Sequence, residues 1–213
     1  MKKVKKISSS MDMIDISDRA NGLKEGQVNK EELNYAREIL KTEKGEIVLA
    51  ISTVGLCGNT SDEELLRKYL FGEMSGVYGE FALVALCRYA GLVDKYRDFI
   101  KSLIFSNEES HEYIGHIKLA AIHLLPEYMN EYKDDDIVCR VCEIMLDTGS
   151  EYRISARYAL VRYFNLYDYR NNPTIYIRIL GDNFDERDTK HIVELANARH
   201  GCCLFERKDS AKN

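Results

Sequence analysis

Tryptophan is missing from this chain of 213 residues, proline occurs twice and glycine thirteen times. With so few breakers, and with Leu, Ile, Ala, Glu, Lys and Arg dominant, the composition favours helices over a sheet. No apolar run reaches the about 18 residues needed to span a bilayer, so no membrane association is expected. Lys2, Lys3, Lys5 and Lys6 make a small basic run, but Ser8-Ser9-Ser10-Met11-Asp12 follows where a signal peptide needs an apolar segment, and a cytoplasmic location is expected. A net charge of -5 and a pI near 5.6 count against a nucleic-acid partner, because that affinity comes from lysines and arginines releasing counterions from phosphate. The six cysteines are expected as reduced thiols in a chain of this size and location. There is no Gly-rich phosphate loop, nucleophile elbow or HExxH motif, so neither a cofactor nor catalysis is expected.

What is present is repetition. Ala85-Leu86-Cys87-Arg88-Tyr89-Ala90-Gly91-Leu92-Val93-Asp94 lies over Ala159-Leu160-Val161-Arg162-Tyr163-Phe164-Asn165-Leu166-Tyr167-Asp168 with six of ten positions identical. An intermediate copy falls at Tyr113 and Ala120-Ala121-Ile122-His123, and an earlier one at Ala50-Ile51. Tyr78, Tyr113 and Tyr152 each precede a small residue (Ala85, Ala120, Ala159) by seven positions, or two helical turns. A bulky and a small side chain then share a face, and the small one lets a neighbouring helix come close.

Each unit runs on into a second apolar-periodic segment: Asp62 to Phe71, Asp94 to Phe105 and Asp135 to Leu146. Phe99, Ile100, Leu103 and Ile104 mark one face of the second of these, and Ile137, Val138, Val141, Cys142 and Met145 one face of the third. Ser61-x-x-Glu64 and Asn29-x-x-Glu32 read as capping boxes, and Gly91 and Gly149 as helix stops. The spacing also predicts an N-terminal helix over Asn29 to Thr42. A closing helix is expected over Asp188 to Arg199, with Ile192, Val193, Leu195 and Ala196 inward and Gly201 as its stop. Residues 1–26 read as a flexible polar arm, 27–201 as the folded domain and 202–213 as a tail.

On these residues the chain resembles a HEAT-like, armadillo-type α-solenoid. The match lies in the small residue of each first helix (Ala50, Ala85, Ala120, Ala159), the acids at the turns (Asp62, Asp94, Asp134 to Asp136, Asp168) and the basic residues of second helices (Arg67, Arg97, Arg140). Pro126 fits the family's habit of bending the first helix near its end. The repeat length is uneven, and Asn171-Asn172-Pro173 precedes the second helix of the fourth unit at Ile175 to Leu180. The resemblance implies an all-α fold: a right-handed α-α superhelix of about four helical hairpins with flanking helices. It further implies a binding module whose second helices line a concave surface.

The partner-binding candidates on that surface are Glu63, Arg67, Arg97, Lys101, Asp136 and Arg140, joined by Tyr132, Asp134 and Asp135 from the acidic and aromatic feature that the run Asp134 to Asp136 makes with Tyr128 and Tyr132. A row of mixed charge reads as protein recognition rather than phosphate tracking. The expected function is a non-enzymatic protein that sequesters or scaffolds one partner protein. A small acidic solenoid also resembles bacterial immunity proteins that plug a cognate toxin, with the Asp run facing a basic toxin domain. The alternatives are a HEAT-like DNA glycosylase, which the absent tryptophan and negative charge oppose, and a repeat-containing lyase subunit. Cys139-x-x-Cys142, with Cys202-Cys203, His191 and His200 as the only second pair, reads as inert thiols rather than a metal site. His111, His116 and His123 read as polar repeat positions. The row Thr53, Arg88, His123 and Arg162 reads as a structural ladder.

Overall fold

A computed structural model describes residues 11–106, 112–166 and 186–204, with the side chains of 112–115 excepted. Among these residues the secondary structure is helical, with eleven α-helices and no strand. The helices are α1 (Met13–Ala20), α2 (Lys30–Thr42), α3 (Ile47–Cys57), α4 (Glu63–Phe71), α5 (Ser75–Val84), α6 (Val93–Phe105), α7 (Glu112–His123), α8 (Leu125–Glu131), α9 (Asp135–Leu146), α10 (Arg153–Tyr163) and α11 (Glu186–His200). None exceeds 15 residues, and helices this short are marginal alone in water, so packing of their apolar faces has to hold them. The chain divides into two compact units, residues 1–90 and 91–213.

In the first unit α3 packs against α1, α2 and α5, and α4 packs against α2 and α5. Its centre is Leu40, Ile51, Leu66, Tyr69, Leu70, Leu83 and Leu86, all at most 2% exposed. The Tyr69 hydroxyl is buried and donates to the Leu40 carbonyl at 2.7 Å, which removes the penalty of an unpaired polar group there. The expected Asn29–Glu32 capping box starts α2: the Asn29 side chain accepts from the Glu31 and Glu32 amides, and the Glu32 carboxylate accepts from the Asn29 amide. The second box sits two residues earlier than its sequence signature. Asn59 and Asp62 form it around a 3-10 turn, Thr60–Asp62, rather than Ser61 and Glu64. Asp62 serves twice, since Arg37 grips both of its oxygens at 2.7 Å. Residues 13–20, placed by the sequence in a flexible arm, instead form α1. Met13, Ile16 and Ser17 are buried on α3, and Arg19 bridges Asp15 and Glu32.

The small-residue rule appears in this unit as a close helix crossing. After Val84 the α5 backbone loosens into a π-helical segment, Ala85–Tyr89, closed by the Ala90 amide donating to the Ala85 carbonyl at 2.9 Å. A Cβ added at Gly55 of α3 would stand 2.8 Å from the Ala85 Cβ and 3.2 Å from the Tyr89 ring. Gly91 then ends this run in the left-handed region at φ 69°, where a glycine carries no steric cost.

In the second unit α6 packs against α7, α8 and α9, while α10 packs against α7, α8 and α9. Ile100, Ile104, Ile122, Tyr128, Val138, Val141 and Leu160 are fully buried. Pro126 does not bend the end of α7. It opens a separate short helix, α8, in whose first turn its missing N–H costs nothing. The closing helix α11 packs on α9 with Ile192, Val193 and Ala196 buried and Leu195 only partly so; Gly201 follows it at φ 63°. The expected second helix of the fourth unit, Asp168, His111 and the Tyr113 side chain lie outside the described residues.

Replacing Gly55 by Ala is expected to lower stability by about 2 kcal/mol, the usual cost of overpacking a close contact. Urea denaturation of the purified variant measures this, and a loss below about 0.5 kcal/mol would mean that α3 moves aside freely.

Candidate functional site

Asp94, Arg97 and Lys101 succeed one another at three and four positions, so they share one face of α6. That face meets α8 and the residues leading into α9. Lys101 Nζ donates to Asp134 Oδ2 at 2.7 Å, and the Tyr128 hydroxyl donates to the same oxygen at 3.0 Å. Arg97 Nε donates to the Tyr128 oxygen at 3.4 Å, and its guanidinium lies 4.4 Å from the centre of the Tyr132 ring. The Tyr132 hydroxyl donates to Asp94. Four expected partner-binding residues, Arg97, Lys101, Tyr132 and Asp134, are thus brought together, and they bind one another.

The electrostatics follow from burial. The Asp134 side chain is 7% exposed. Burial alone would raise its carboxyl, but the hydrogen bonds from Lys101 and Tyr128 and the Lys101 charge outweigh it and hold the group below the usual carboxylate range. The same bond raises Lys101. Tyr132 is pushed up to about 12, first by its hydrogen bond to Asp94. Each shift stabilises the protonation state already present at neutral pH, so this cluster is suited to holding helices together and ill suited to moving protons.

The other candidates are scattered. Asp135 and Asp136 are exposed at the start of α9, and Asp135 Oδ1 lies 2.7 Å from His200 Nδ1. Arg67 is exposed on α4, 3.5 Å from Glu64, with its guanidinium 5.7 Å from the centre of the Phe71 ring; Glu63 is half-buried one turn earlier. Arg140 pairs with Glu143 at 3.2 Å and borders a cleft of about 340 Å³. Lys118 is buried at that cleft, its Nζ donating to the Ser106 carbonyl at 2.7 Å and standing 4.9 Å from the centre of the Tyr152 ring. Acidic and basic side chains line the cleft together, so it favours no single ligand charge.

Sequence reasoning passed over two phenylalanines. Phe71 and Phe105 are 50% and 40% exposed, the first ending α4 and the second ending α6, each beneath a cation one turn earlier, Arg67 and Lys101, at 5.7 Å. The two pairs are 34 residues apart, close to the repeat spacing, and that periodicity was the available signal.

No family model, curated protein or solved structure matches the chain.

Of the polar row, Arg162 and His123 make contacts between helices. Arg162 donates to the His123 carbonyl at 3.2 Å and to Glu127 at 3.1 Å, tying α10 to the α7–α8 corner, and the His123 ring stands edge-on to Tyr158. In the first unit Thr53 is buried with its hydroxyl lacking a hydrogen-bond partner, and Arg88 is half-buried. Tyr78 packs edge-on against Tyr69, as expected of a packing residue. The cysteines depart from expectation. Cys139 and Cys202, 63 residues apart, form a disulfide, because the packing of α11 on α9 brings their Cα atoms to 5.0 Å. Cys142 is buried, which pushes its thiol up to about 12. Among the described residues no group of three or more His, Cys, Asp or Glu is placed to hold a metal ion, and no helix is long and apolar enough to cross a membrane.

Replacing Asp134 by Asn is expected to cost about 2 kcal/mol at pH 7, since Lys101 loses its anion and one acceptor oxygen. The folded-state pKa of Asp134 is lowered, so its stabilisation is complete above the unfolded value near about 3.9 and lost as pH falls through the folded one. The gap between variant and wild type should therefore narrow in urea titrations at pH 3, and an undiminished gap would remove the ion pair from the account. Asp136→Asn should stay within about 0.5 kcal/mol at both pH values.

Proposed function

We propose that this chain is a HEAT-like helical-repeat protein, its hairpins stacked as a right-handed superhelix, that holds one partner protein on its second helices and catalyses no reaction. The repeat reading is supported by where the helices fall: α3, α5 with its π segment, α7 and α10 carry Ala50, Ala85, Ala120 and Ala159, all buried, at the predicted spacing. The second helices α4, α6 and α9 span close to the predicted ranges.

The observation that carries the binding reading is the recurrence of an exposed phenylalanine beneath a cation on α4 and again on α6. A large aromatic left half in water forgoes hydrophobic stabilisation that a covering partner would restore, and aromatics and arginines are enriched where interfaces draw their affinity. The charged row of the sequence reading narrows accordingly. Arg97, Tyr132 and Asp134 hold the scaffold, and Lys101 both anchors Asp134 and flanks Phe105. Asp135 and Asp136 keep exposed carboxylates, Asp135 with one oxygen already on His200, and on these the toxin-neutralising form of the proposal rests: a basic toxin domain would engage two acids rather than three.

The test is capture from source-cell lysate by wild type, a Phe71→Ser/Phe105→Ser variant and an Asp135→Asn/Asp136→Asn variant, each with its melting temperature recorded. One stoichiometric protein captured by wild type and reduced at least tenfold by the Phe variant, at unchanged melting temperature, is the expected result. A further loss in the Asp variant that deepens at low salt would favour a basic partner. Undiminished capture by both variants would move the interface off these residues, and a bound small molecule or DNA in place of a protein would overturn the proposal.

A further inference from the structure

One face of α9 carries two attachments for the end of α11. Asp135 and Cys139 lie one turn apart; the first meets His200 Nδ1 at 2.7 Å and the second is bonded to Cys202. His200 is also held from α10, where the Tyr163 hydroxyl lies 3.1 Å from Nε2. Both ring nitrogens are therefore engaged, one from α9 and one from α10. Arg199 lies 5.7 Å from the centre of the Phe164 ring beside it. Against these contacts α11 itself buries only Ile192, Val193 and Ala196, a narrow stripe on a helix of 15 residues. The covalent link adds to this packing a constraint that a reductant can remove.

Of the neighbouring thiols, Cys203 is exposed next to Cys202 while Cys142 is buried beside Cys139. Cys139 is half-buried whereas Cys202 is buried, so Cys139 is the more exposed residue of the bonded pair and the side taken here for attack. Cys142, one turn on from Cys139, is buried and remains a thiol at neutral pH, which makes it a poor internal attacker.

We propose that the Cys139–Cys202 disulfide is a redox clasp on α11, opened by a dithiol reductant, and that opening it frees α11 from α9. One thiolate of the dithiol attacks Cys139 Sγ, forming a mixed disulfide and releasing Cys202 as a thiolate, which takes up a proton. The second thiol of the reductant then displaces Cys139, likewise protonated, and leaves as the oxidised cyclic disulfide. Two electrons and two protons pass from the dithiol to the two cysteines.

Two measurements on the full chain test this. Alkylation in denaturant without reductant, read by mass spectrometry, should label Cys57, Cys87, Cys142 and Cys203 and spare Cys139 and Cys202. Native-state hydrogen exchange before and after dithiothreitol should then show residues 186–204 exchanging at least tenfold faster once reduced, with residues 30–71 unchanged. Cys139→Ser should match the reduced wild type without reductant, and Cys203→Ser should stay slow until reduced. If Cys139→Ser does not fold, in-place reduction of wild type carries the test alone. Labelling of all six cysteines without reductant, or equal exchange of 186–204 before and after reduction, overturns the proposal.

Discussion

A carboxylate withdrawn from water has to be surrounded by donors, and in the second unit Asp134 settles how three helices meet. Lys101 approaches it from α6 and Tyr128 from α8, while Asp134 itself leads into α9. Moving any of these backbones by an ångström or two would leave a buried charge short of a partner, a far larger penalty than a displaced methyl group. Around this point the apolar side chains Ile100, Ile104, Val138 and Val141 supply most of the driving force for burial without dictating register. In the first unit Asp62 has the same task, held by Arg37 while capping the turn that opens α4.

That division of labour explains what the sequence disclosed. Helix periodicity is a local property, so Lys30–Thr42, Val93–Phe105 and Asp135–Leu146 fall where their apolar spacing places them. The alanines at 50, 85, 120 and 159 were legible because close packing of helices demands small side chains, and all four are buried. Met13 and Ile16 escaped notice because two buried apolar residues one turn apart, with the exposed Ile14 between them and acids on either side, form too weak a stripe to register alone. The capping signature near residue 60 was ambiguous because Asn59-x-x-Asp62 and Ser61-x-x-Glu64 both satisfy the pattern, and Arg37, 25 positions from Asp62, favours the former.

The site was less legible than the fold for a physical reason. A charged side chain at a helix surface looks the same in sequence whether its counter-charge belongs to a partner protein or to the next helix. Lys101 and Asp134 lie 33 residues apart, and nothing local links them. The exposed phenylalanines were hidden for the opposite reason: an aromatic at the end of an apolar-periodic helix reads as core until solvent exposure is known. Pairing of Cys139 with Cys202 likewise depends on α11 returning to α9, a tertiary event that no spacing within the cysteines encodes.

The bond between Cys139 and Cys202 also changes what the chain is as a connected object. Between those residues the backbone forms a ring that contains α10 and α11. Under denaturing conditions a single protease cut inside the ring leaves two pieces that travel as one molecule until a reductant is added, whereas a cut before Cys139 lets them part without one.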